Sequence, residues 1–196
     1  MRKTKEEAEV TRQKILEVSY DIINKKGFER MTRNDIASEM GMTRGAVNWH
    51  FKTKDEIYLS VLINILDRFE VQRRKIQNDT SISVKERLTG LFLMPIKQSE
   101  YFQFINNIPH HLLEDSRYSD LDKRMHKNRI DFLNYLENLL TELEQTSGVK
   151  INKPKDKIAQ ALYLVYEGLH NRNPWNSSLV YFTEKEMWDI LSVIIY

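Results

Sequence analysis

The 196-residue sequence contains no cysteine, only six glycines and four prolines, and no long apolar run. The absence of cysteine excludes disulfides, thiolate metal ligands and a cysteine nucleophile. No stretch approaches the roughly 18 to 20 apolar residues that a membrane span needs, and the charged N-terminus lacks the apolar core of a secretory signal. The sequence therefore predicts a cytoplasmic protein with no membrane partner.

The charge of the chain is nearly balanced, with 30 basic and 28 acidic side chains and a net charge of +2. This balance by itself favours neither a nucleic acid nor another charged partner. Residues 1–55 are mildly basic, with 12 basic and 9 acidic side chains. The hydrophobic fraction of 41% is enough to form a sizeable core, so we expect a globular chain with a weakly basic N-terminal part.

The scarcity of glycine and proline and the lack of period-2 alternation favour an all-α fold. Six Ser/Thr-x-x-Glu/Asp pairs precede apolar-periodic segments and fit the capping box of a helix start: Thr4/Glu7, Thr32/Asp35, Thr53/Glu56, Ser83/Glu86, Ser119/Asp122 and Thr183/Glu186. The pattern predicts helices over about 5–26, 33–40, 44–51, 54–77, 84–97, 100–114 (interrupted by Pro109), 121–145, 155–172 and 184–196.

Two short predicted helices, 33–40 and 44–51, are separated by a tight turn at Gly41, which is the arrangement of a helix-turn-helix. The apolar positions that we expect to bury the two helices against each other are Ile36, Ala37, Met40, Met42, Val47 and Phe51. The outer face of the second helix then carries Arg44, Gly45, Asn48 and Trp49. A face of this kind, at the start of a recognition helix, is what enters the major groove of DNA.

The segment over residues 27–58, GFERMTRNDIASEMGMTRGAVNWHFKTKDEIY, resembles the signature of the TetR/AcrR family of transcriptional regulators. Residues 2–16 resemble its AcrR branch. The resemblance implies a helix-turn-helix DNA-binding domain at 1–55 and a helical bundle for ligand sensing and dimerisation at 56–196. It also implies a homodimeric repressor on a palindromic double-stranded operator, released by a hydrophobic or cationic drug-like inducer and controlling an efflux system. No cofactor and no catalytic activity are implied.

Roles for individual residues follow from the same resemblance. The guanidinium of Arg44 is suited to the O6 and N7 acceptors of guanine, and Gly45 allows close approach of the backbone. Asn48 stands where most relatives have tyrosine, so it is expected either to read an adenine edge or to face only water. The residues expected to contact phosphates are Arg33, Thr43, Trp49, His50, Lys52 and Lys54.

The second half of the chain is rich in aromatic residues, which either form ordinary core or line an apolar ligand pocket with a few polar groups. The pocket candidates are Phe69, Phe92, Phe104, His110, Glu114, Tyr163, Tyr166, Glu167 and Trp175. The last two predicted helices are the candidate dimer interface, because the final helix is apolar on more than one face. The interface candidates are Ile158, Leu162, Val165, Leu169, Trp188, Leu191 and Ile195.

Other classes of function have less support in the sequence. Glu167 and His170 have the spacing of one ligand pair in a di-iron bundle, but the second copy that such a site needs is missing. No catalytic serine motif or phosphate-binding loop is present, so we do not expect an enzyme. Two alternatives stay open at this point: a ligand-independent activator, and a helical protein-interaction module.

Overall fold

The computed structural model describes residues 4–98, 104, 108–114, 116–170 and 182–196. Within these ranges the chain is helical and contains no strand, which confirms the predicted all-α fold. None of the described helices is both long enough and apolar enough to cross a membrane. A 3₁₀ turn lies at His110–Glu114. The helices are α1 (Lys5–Lys26), α2 (Arg33–Glu39), α3 (Arg44–His50), α4 (Lys54–Gln77), α5 (Val84–Lys97), α6 (Ser116–Ser147), α7 (Lys155–His170) and α8 (Glu184–Ile195).

Four helices begin with the capping box that the sequence predicts. In each, the N-cap hydroxyl accepts a hydrogen bond from the third amide, and the third residue's carboxylate accepts one from the N-cap amide. These boxes are Thr4/Glu7 of α1, Thr32/Asp35 of α2, Ser83/Glu86 of α5 and Thr183/Glu186 of α8. The Lys26 ammonium lies 2.6 Å from the Asp35 carboxylate, and together with Thr32 it lowers the pKa of Asp35 to about 2.

The other two predicted helix starts differ from this pattern. At α4, the Thr53 hydroxyl accepts from the Glu56 amide at 3.0 Å, but the Glu56 carboxylate accepts from the Lys52 amide instead of the Thr53 amide. The prediction of a start at Ser119/Asp122 is wrong, because α6 begins at Ser116 and contains both residues. Both side chains are exposed on the helix surface, where Ser and Asp are tolerated without acting as caps.

The chain forms two compact units, each made of two stretches of sequence. Unit 1 consists of Met1–Asp67 and Ile108–Ser119, and unit 2 consists of Arg68–Asn107 and Asp120–Tyr196. This division falls within α4, whereas the functional boundary predicted from the sequence lies at residue 55. The long helix α4 therefore begins in one compact unit and ends in the other.

The core of unit 1 holds the predicted helix pair in place. α2 packs against α1 and α3, and the buried contact between α2 and α3 includes Ile36, Val47 and Phe51, all with no exposed surface. Met40 and Met42 are half-buried at the edge of this contact. The predicted apolar set is therefore the packing surface between the two short helices.

A glycine turn separates α2 from α3. Gly41 has a φ of 61°, a conformation that residues with a side chain rarely adopt. The Gly41 amide donates to the Ser38 carbonyl at 3.2 Å and the Met42 amide to the Ala37 carbonyl at 2.9 Å. This pair of bonds is a Schellman motif, which ends α2 and allows α3 to start two residues later.

A segment from the middle of the chain, residues 108–119, completes unit 1, and we call it the strap. Leu112 of the strap is 1% exposed. The His111 ring lies 5.9 Å from the Phe28 ring, and its Nε2 lies 3.4 Å from an Asp55 carboxylate oxygen. The strap thus covers the turn between α1 and α2 and the first turn of α4.

Unit 2 is a helical bundle in which α5, α7 and α8 pack against one another. Arg87 of α5, which is 7% exposed, forms an ion pair with Glu142 of α6. Glu70 of α4 forms ion pairs with Arg74 and with Arg124 of α6, the latter at 2.9 Å. Burial raises the pKa of Glu70, but the two guanidinium groups outweigh this effect and the pKa is lowered. These pairs tie α5 and the second half of α4 to α6.

Candidate nucleic-acid interface

The orientation of α3 follows from its two buried side chains. Val47 and Phe51 point into unit 1 and have no exposed surface. Because residues on opposite faces of a helix point in opposite directions, the other side of α3 faces solvent. Gly45 and Trp49, which is 66% exposed, lie on that side, and Thr43 and Arg44 are exposed at the start of the helix. The face that the sequence predicted as the recognition surface is therefore open.

The start of α3 presents a cap and an unengaged guanidinium. The Thr43 hydroxyl accepts a hydrogen bond from the Ala46 amide at 3.1 Å, so this side chain fixes the helix start. Among the described residues, Arg44 forms no ion pair and no hydrogen bond through its side chain. Its five donors are therefore available to an external acceptor.

The aromatic residues at the end of α3 form a pair. The rings of Trp49 and His50 are edge-to-face, with centroids 4.6 Å apart. His50 is half-buried, whereas Trp49 projects into solvent. The half-buried imidazole supports one side of the exposed indole and limits its rotation.

Asn48 does not present its whole carboxamide to solvent. The residue is half-buried, and its Oδ1 atom is buried with no hydrogen-bond partner in the described part of the chain. Reading an adenine edge requires both the oxygen and the nitrogen of the amide. Asn48 must therefore rotate before it can make that contact.

Arg33 and Lys52 lie together at the turn before α4. The Arg33 guanidinium donates to the Lys52 carbonyl at 2.6 Å, so one of its donors supports the protein backbone. The Lys52 side chain is exposed. Lys52 is therefore exposed, as its predicted phosphate contact requires, whereas part of the Arg33 guanidinium already binds the backbone.

Lys54 is held by the protein itself. Its ammonium donates to the carbonyls of Phe28 and Glu29 at 3.1 and 3.2 Å, lies 3.8 Å from the Glu29 carboxylate, and sits 4.2 Å above the Phe28 ring. The donors of Lys54 are thus directed at the turn between α1 and α2, and a phosphate contact by this residue stays a prediction. A contact between positions 25 or 26 residues apart leaves no recognisable pattern in a sequence.

Arg12 is a further residue of the site that sequence reasoning missed. Its guanidinium lies 4.6 Å above the Phe51 ring and donates to the Ser60 hydroxyl at 3.2 Å. Arg12 therefore joins α1, the end of α3 and α4. This cation-π contact between Arg12 and Phe51 helps to hold the Phe51 side chain in its buried position at the end of the recognition helix.

The predicted pocket residues do not form one group. Phe92, Phe104 and Tyr166 are at most 4% exposed, while Phe69 and Tyr163 are partly buried in unit 2. His110 and Glu114 are exposed residues of the strap, which belongs to unit 1, and Trp175 lies outside the described residues. The part of the prediction that coincides in space is the aromatic group of unit 2.

Most of the predicted dimer residues also need correction. Ile158, Leu162, Leu191 and Ile195 are at most 3% exposed and lie in the core of unit 2, where they cannot meet a second chain. Val165, Leu169 and Trp188 are partly buried against the same core. The apolar residues that α7 and α8 leave exposed are Leu164 at 71%, Val193 at 77% and Ile190 at 40%.

Comparison with known proteins agrees with this geometry. Residues 15–61 match the family described as bacterial regulatory proteins, tetR family. The chain is 32% identical to the transcriptional regulator TtgR of Pseudomonas putida over 117 residues, which are 58% of this chain and 56% of that protein. It is 26% identical to the transcriptional repressor BepR of Brucella suis, over 87% of this chain and 84% of that protein.

A solved structure shares the fold over nearly the whole chain. It is a putative transcriptional regulator from Saccharomonospora viridis in complex with choline, with a TM-score of 0.69 and 20% identity, over 95% of this chain and 96% of that chain. The chain spans only about half the length of TtgR in this match, and the family match lies at residues 15–61. Residues 15–61 belong to the tetR family of bacterial regulatory proteins, and the relatives that the chain resembles are transcriptional regulators.

Replacing Gly45 by alanine tests whether this glycine serves DNA or the fold. The nearest atom to an added Cβ is the Thr43 hydroxyl at 3.8 Å, which is ordinary contact, so the methyl group fits the free protein. Alanine also favours helix over glycine by up to about 1 kcal/mol. We expect Gly45→Ala to fold with unchanged or higher stability in urea unfolding, but to bind operator DNA at least about tenfold more weakly. Unchanged DNA affinity would show that the backbone is not closely approached here.

Proposed function

We propose that the protein is a ligand-responsive repressor that binds a palindromic operator as a homodimer in the cytoplasm. The observation that carries the proposal is the α3 face, on which Arg44 and Gly45 are exposed while Val47 is buried as an anchor. An exposed, unengaged arginine at the start of a recognition helix is suited to the edge of a guanine. Thr43, Trp49, His50 and Lys52 surround it as candidates for phosphate contacts.

Substitution of Arg44 by alanine tests this role directly. A bidentate contact to guanine contributes about 1 to 3 kcal/mol of discrimination, so affinity should fall about tenfold to a hundredfold and the preference for one base should relax. Fluorescence anisotropy with operators selected from genomic fragments measures both effects. Lys14→Ala, which removes an exposed charge from α1, is the control and should leave base preference unchanged.

Two outcomes of the same experiment contradict the proposal. If Arg44→Ala retains both affinity and base preference, α3 does not read the operator. If selection from random oligonucleotides yields no DNA that the wild-type protein binds, the alternative of a protein-interaction module is favoured. An affinity that does not change with salt concentration would exclude phosphate contacts as the main source of binding.

The dimer that we propose uses the exposed apolar residues of α7 and α8. Leu164 of α7 and Val193 of α8 are each more than two thirds exposed, and Ile190, three residues before Val193 on α8, is 40% exposed. Exposed large aliphatic side chains on neighbouring helices are typical of a surface that a second chain covers. A two-fold axis would also match the symmetry of a palindromic operator.

The double substitution Leu164→Glu with Val193→Glu is expected to produce monomers. Burying an unpaired carboxylate in an apolar interface costs several kcal/mol, so the dimer dissociation constant should rise by about a hundredfold or more. Sedimentation equilibrium measures this change. Ile130→Glu is the matched control, because Ile130 is 46% exposed but lies on α6. Dimers that persist in the double variant would place the interface elsewhere.

The strap and α4 are the elements that we propose to couple ligand binding to DNA binding. The strap belongs to unit 1, although the chain on both sides of it belongs to unit 2. Its His111 contacts Phe28, in the turn between α1 and α2, and Asp55, in the first turn of α4. A ligand that displaces the strap or α4 would alter the support of the helix pair. Such a ligand must favour the released geometry by a few kcal/mol, and operator DNA must weaken ligand binding by the same factor.

His111→Ala is expected to weaken operator binding about twofold to tenfold, because ring contacts of this kind contribute about 0.5 to 1.5 kcal/mol. Amide exchange should increase in the turn between α1 and α2 and at the start of α4. His110→Ala is the matched control, since His110 is exposed and adjacent in the strap. If both variants behave as wild type, the strap does not support the DNA-binding unit.

The inducer that we propose is a small compound with a hydrophobic body, bound by the aromatic group of unit 2. The sequence resemblance favoured a hydrophobic or cationic drug-like compound and control of an efflux system. The structural neighbour from S. viridis was solved with choline, a cation. The aromatic residues Phe92, Phe132 and Tyr166 support the hydrophobic part of this proposal, with ring centroids 4.6 to 5.6 Å apart where they meet.

A further inference from the structure

Arg73 of α4 differs from the other arginines that are buried or half-buried in unit 2. Arg87 is paired with Glu142, and Arg124 is paired with Glu70. Arg73 is half-buried, but its side chain has no ion pair or hydrogen bond anywhere in the described ranges, and its Nε atom is buried and unsatisfied. Buried charges in proteins are normally paired, because removing a cation from water without a partner is costly.

The surroundings of Arg73 are aromatic. Its guanidinium lies 5.2 Å from the centre of the Phe132 ring. Phe132 lies 4.6 Å from Tyr166 and 6.4 Å from Tyr163, and Tyr166 lies 5.6 Å from Phe92. Burial raises the pKa of Tyr166, and the positive charge of Arg73 partly opposes this rise. Arg73 is thus a cation at the edge of the aromatic group that we propose as the ligand site.

The carboxylates near this group do not neutralise Arg73. Glu70, one turn earlier on α4, is occupied by Arg74 and Arg124. Glu167 accepts a hydrogen bond from the Tyr163 hydroxyl, and Arg129 acts on the same tyrosine. Glu167 carries one negative charge, whereas Arg129 and Arg73 carry two positive charges. These three groups beside the aromatic rings therefore have a net positive charge.

We propose that Arg73 binds the anionic group of an aromatic or otherwise apolar organic acid. This inference rests on the proposed ligand site and gives the site a ligand class. The planar guanidinium offers parallel donors that match a carboxylate or sulfonate, while Phe132 and its neighbours cover the apolar body. A cation such as choline would be repelled from this position, so the ligand class differs from the cationic compounds that the resemblance favoured.

The test compares two fluorescent probes of nearly the same shape. 1-Anilinonaphthalene-8-sulfonate is an aromatic anion, and N-phenyl-1-naphthylamine has the same rings without the sulfonate. We expect Arg73→Gln to weaken binding of the anionic probe about tenfold or more and that of the neutral probe less than about twofold. Arg73→Lys keeps the charge but loses the planar group, so its loss should be intermediate. Lys75→Gln, an exposed neighbour on α4, should change neither affinity.

A displacement experiment gives an independent measure of charge preference. 1-Naphthoate should displace the anionic probe from the wild-type protein, whereas 1-naphthylmethylamine, with the same ring and the opposite charge, should not. The proposal is overturned if the wild-type protein does not bind the anionic probe, if Arg73→Gln leaves its affinity unchanged, or if both probes weaken equally. Stability in urea unfolding should not fall in Arg73→Gln, because no protein partner loses its ion pair.

Operator binding separates failure of this inference from failure of the proposed function. If the anionic probe binds through Arg73 but the protein binds no operator, the acid site stands and the repressor proposal fails. If the protein binds the operator but Arg73→Gln does not change the affinity for the anionic probe, the repressor proposal stands and the acid site fails. Release of the operator by the anionic probe, lost in Arg73→Gln and retained in Lys75→Gln, would support both.

Discussion

The burial of Val47 and Phe51 against α2 is the interaction on which the DNA-binding unit depends. α3 has only seven residues, and a helix of this length is not stable alone in water, so tertiary packing must supply both its stability and its direction. The two buried side chains fix the rotation of the helix about its axis. That rotation turns Gly45 and Trp49 toward solvent, on the side opposite Val47, while Arg44 is exposed in the first turn of the helix. Arg12 reinforces the arrangement from above the Phe51 ring.

Much of unit 1 could be predicted because its signals are local. A capping box or a turn glycine acts within about five residues, so Thr32 and Gly41 mark the ends of α2 correctly in the sequence. Apolar periodicity likewise predicts the buried face of α3. Lys54 is different, because the carbonyls that it binds belong to residues 28 and 29. They come within reach only when the start of α4 is folded against the turn between α1 and α2. A cation at a helix start has the same appearance in sequence whether it contacts DNA or its own backbone.

The second half of the chain shows where periodicity stops being informative. Apolar periodicity identifies the apolar side of α7 and α8, but it does not show whether that side packs against the same chain or against a second chain. Leu162 and Leu191 prove to be fully buried core, whereas Leu164 and Val193, on other faces of the same helices, are exposed. Arg73 is a similar case. That no carboxylate among the described residues pairs with Arg73 can be recognised only in the folded structure.

If, as we propose, a ligand acts on DNA binding through α4, the contacts of Lys54 constrain how that signal reaches the recognition helix. A helix transmits displacement along its axis without stretching, because each backbone hydrogen bond fixes the next residue. Lys54 begins α4 and is bonded to the turn between α1 and α2, and Arg73 lies near the other end of the same helix. A shift of α4 therefore pulls on the segment that precedes α2. The contact between α2 and α3 is close-packed. A change in the packing of these two helices is therefore less favourable than a change in a single side-chain contact such as that of Lys54. The helix pair should consequently move as one body when α4 moves, which changes the position of Arg44 without changing the face that α3 presents.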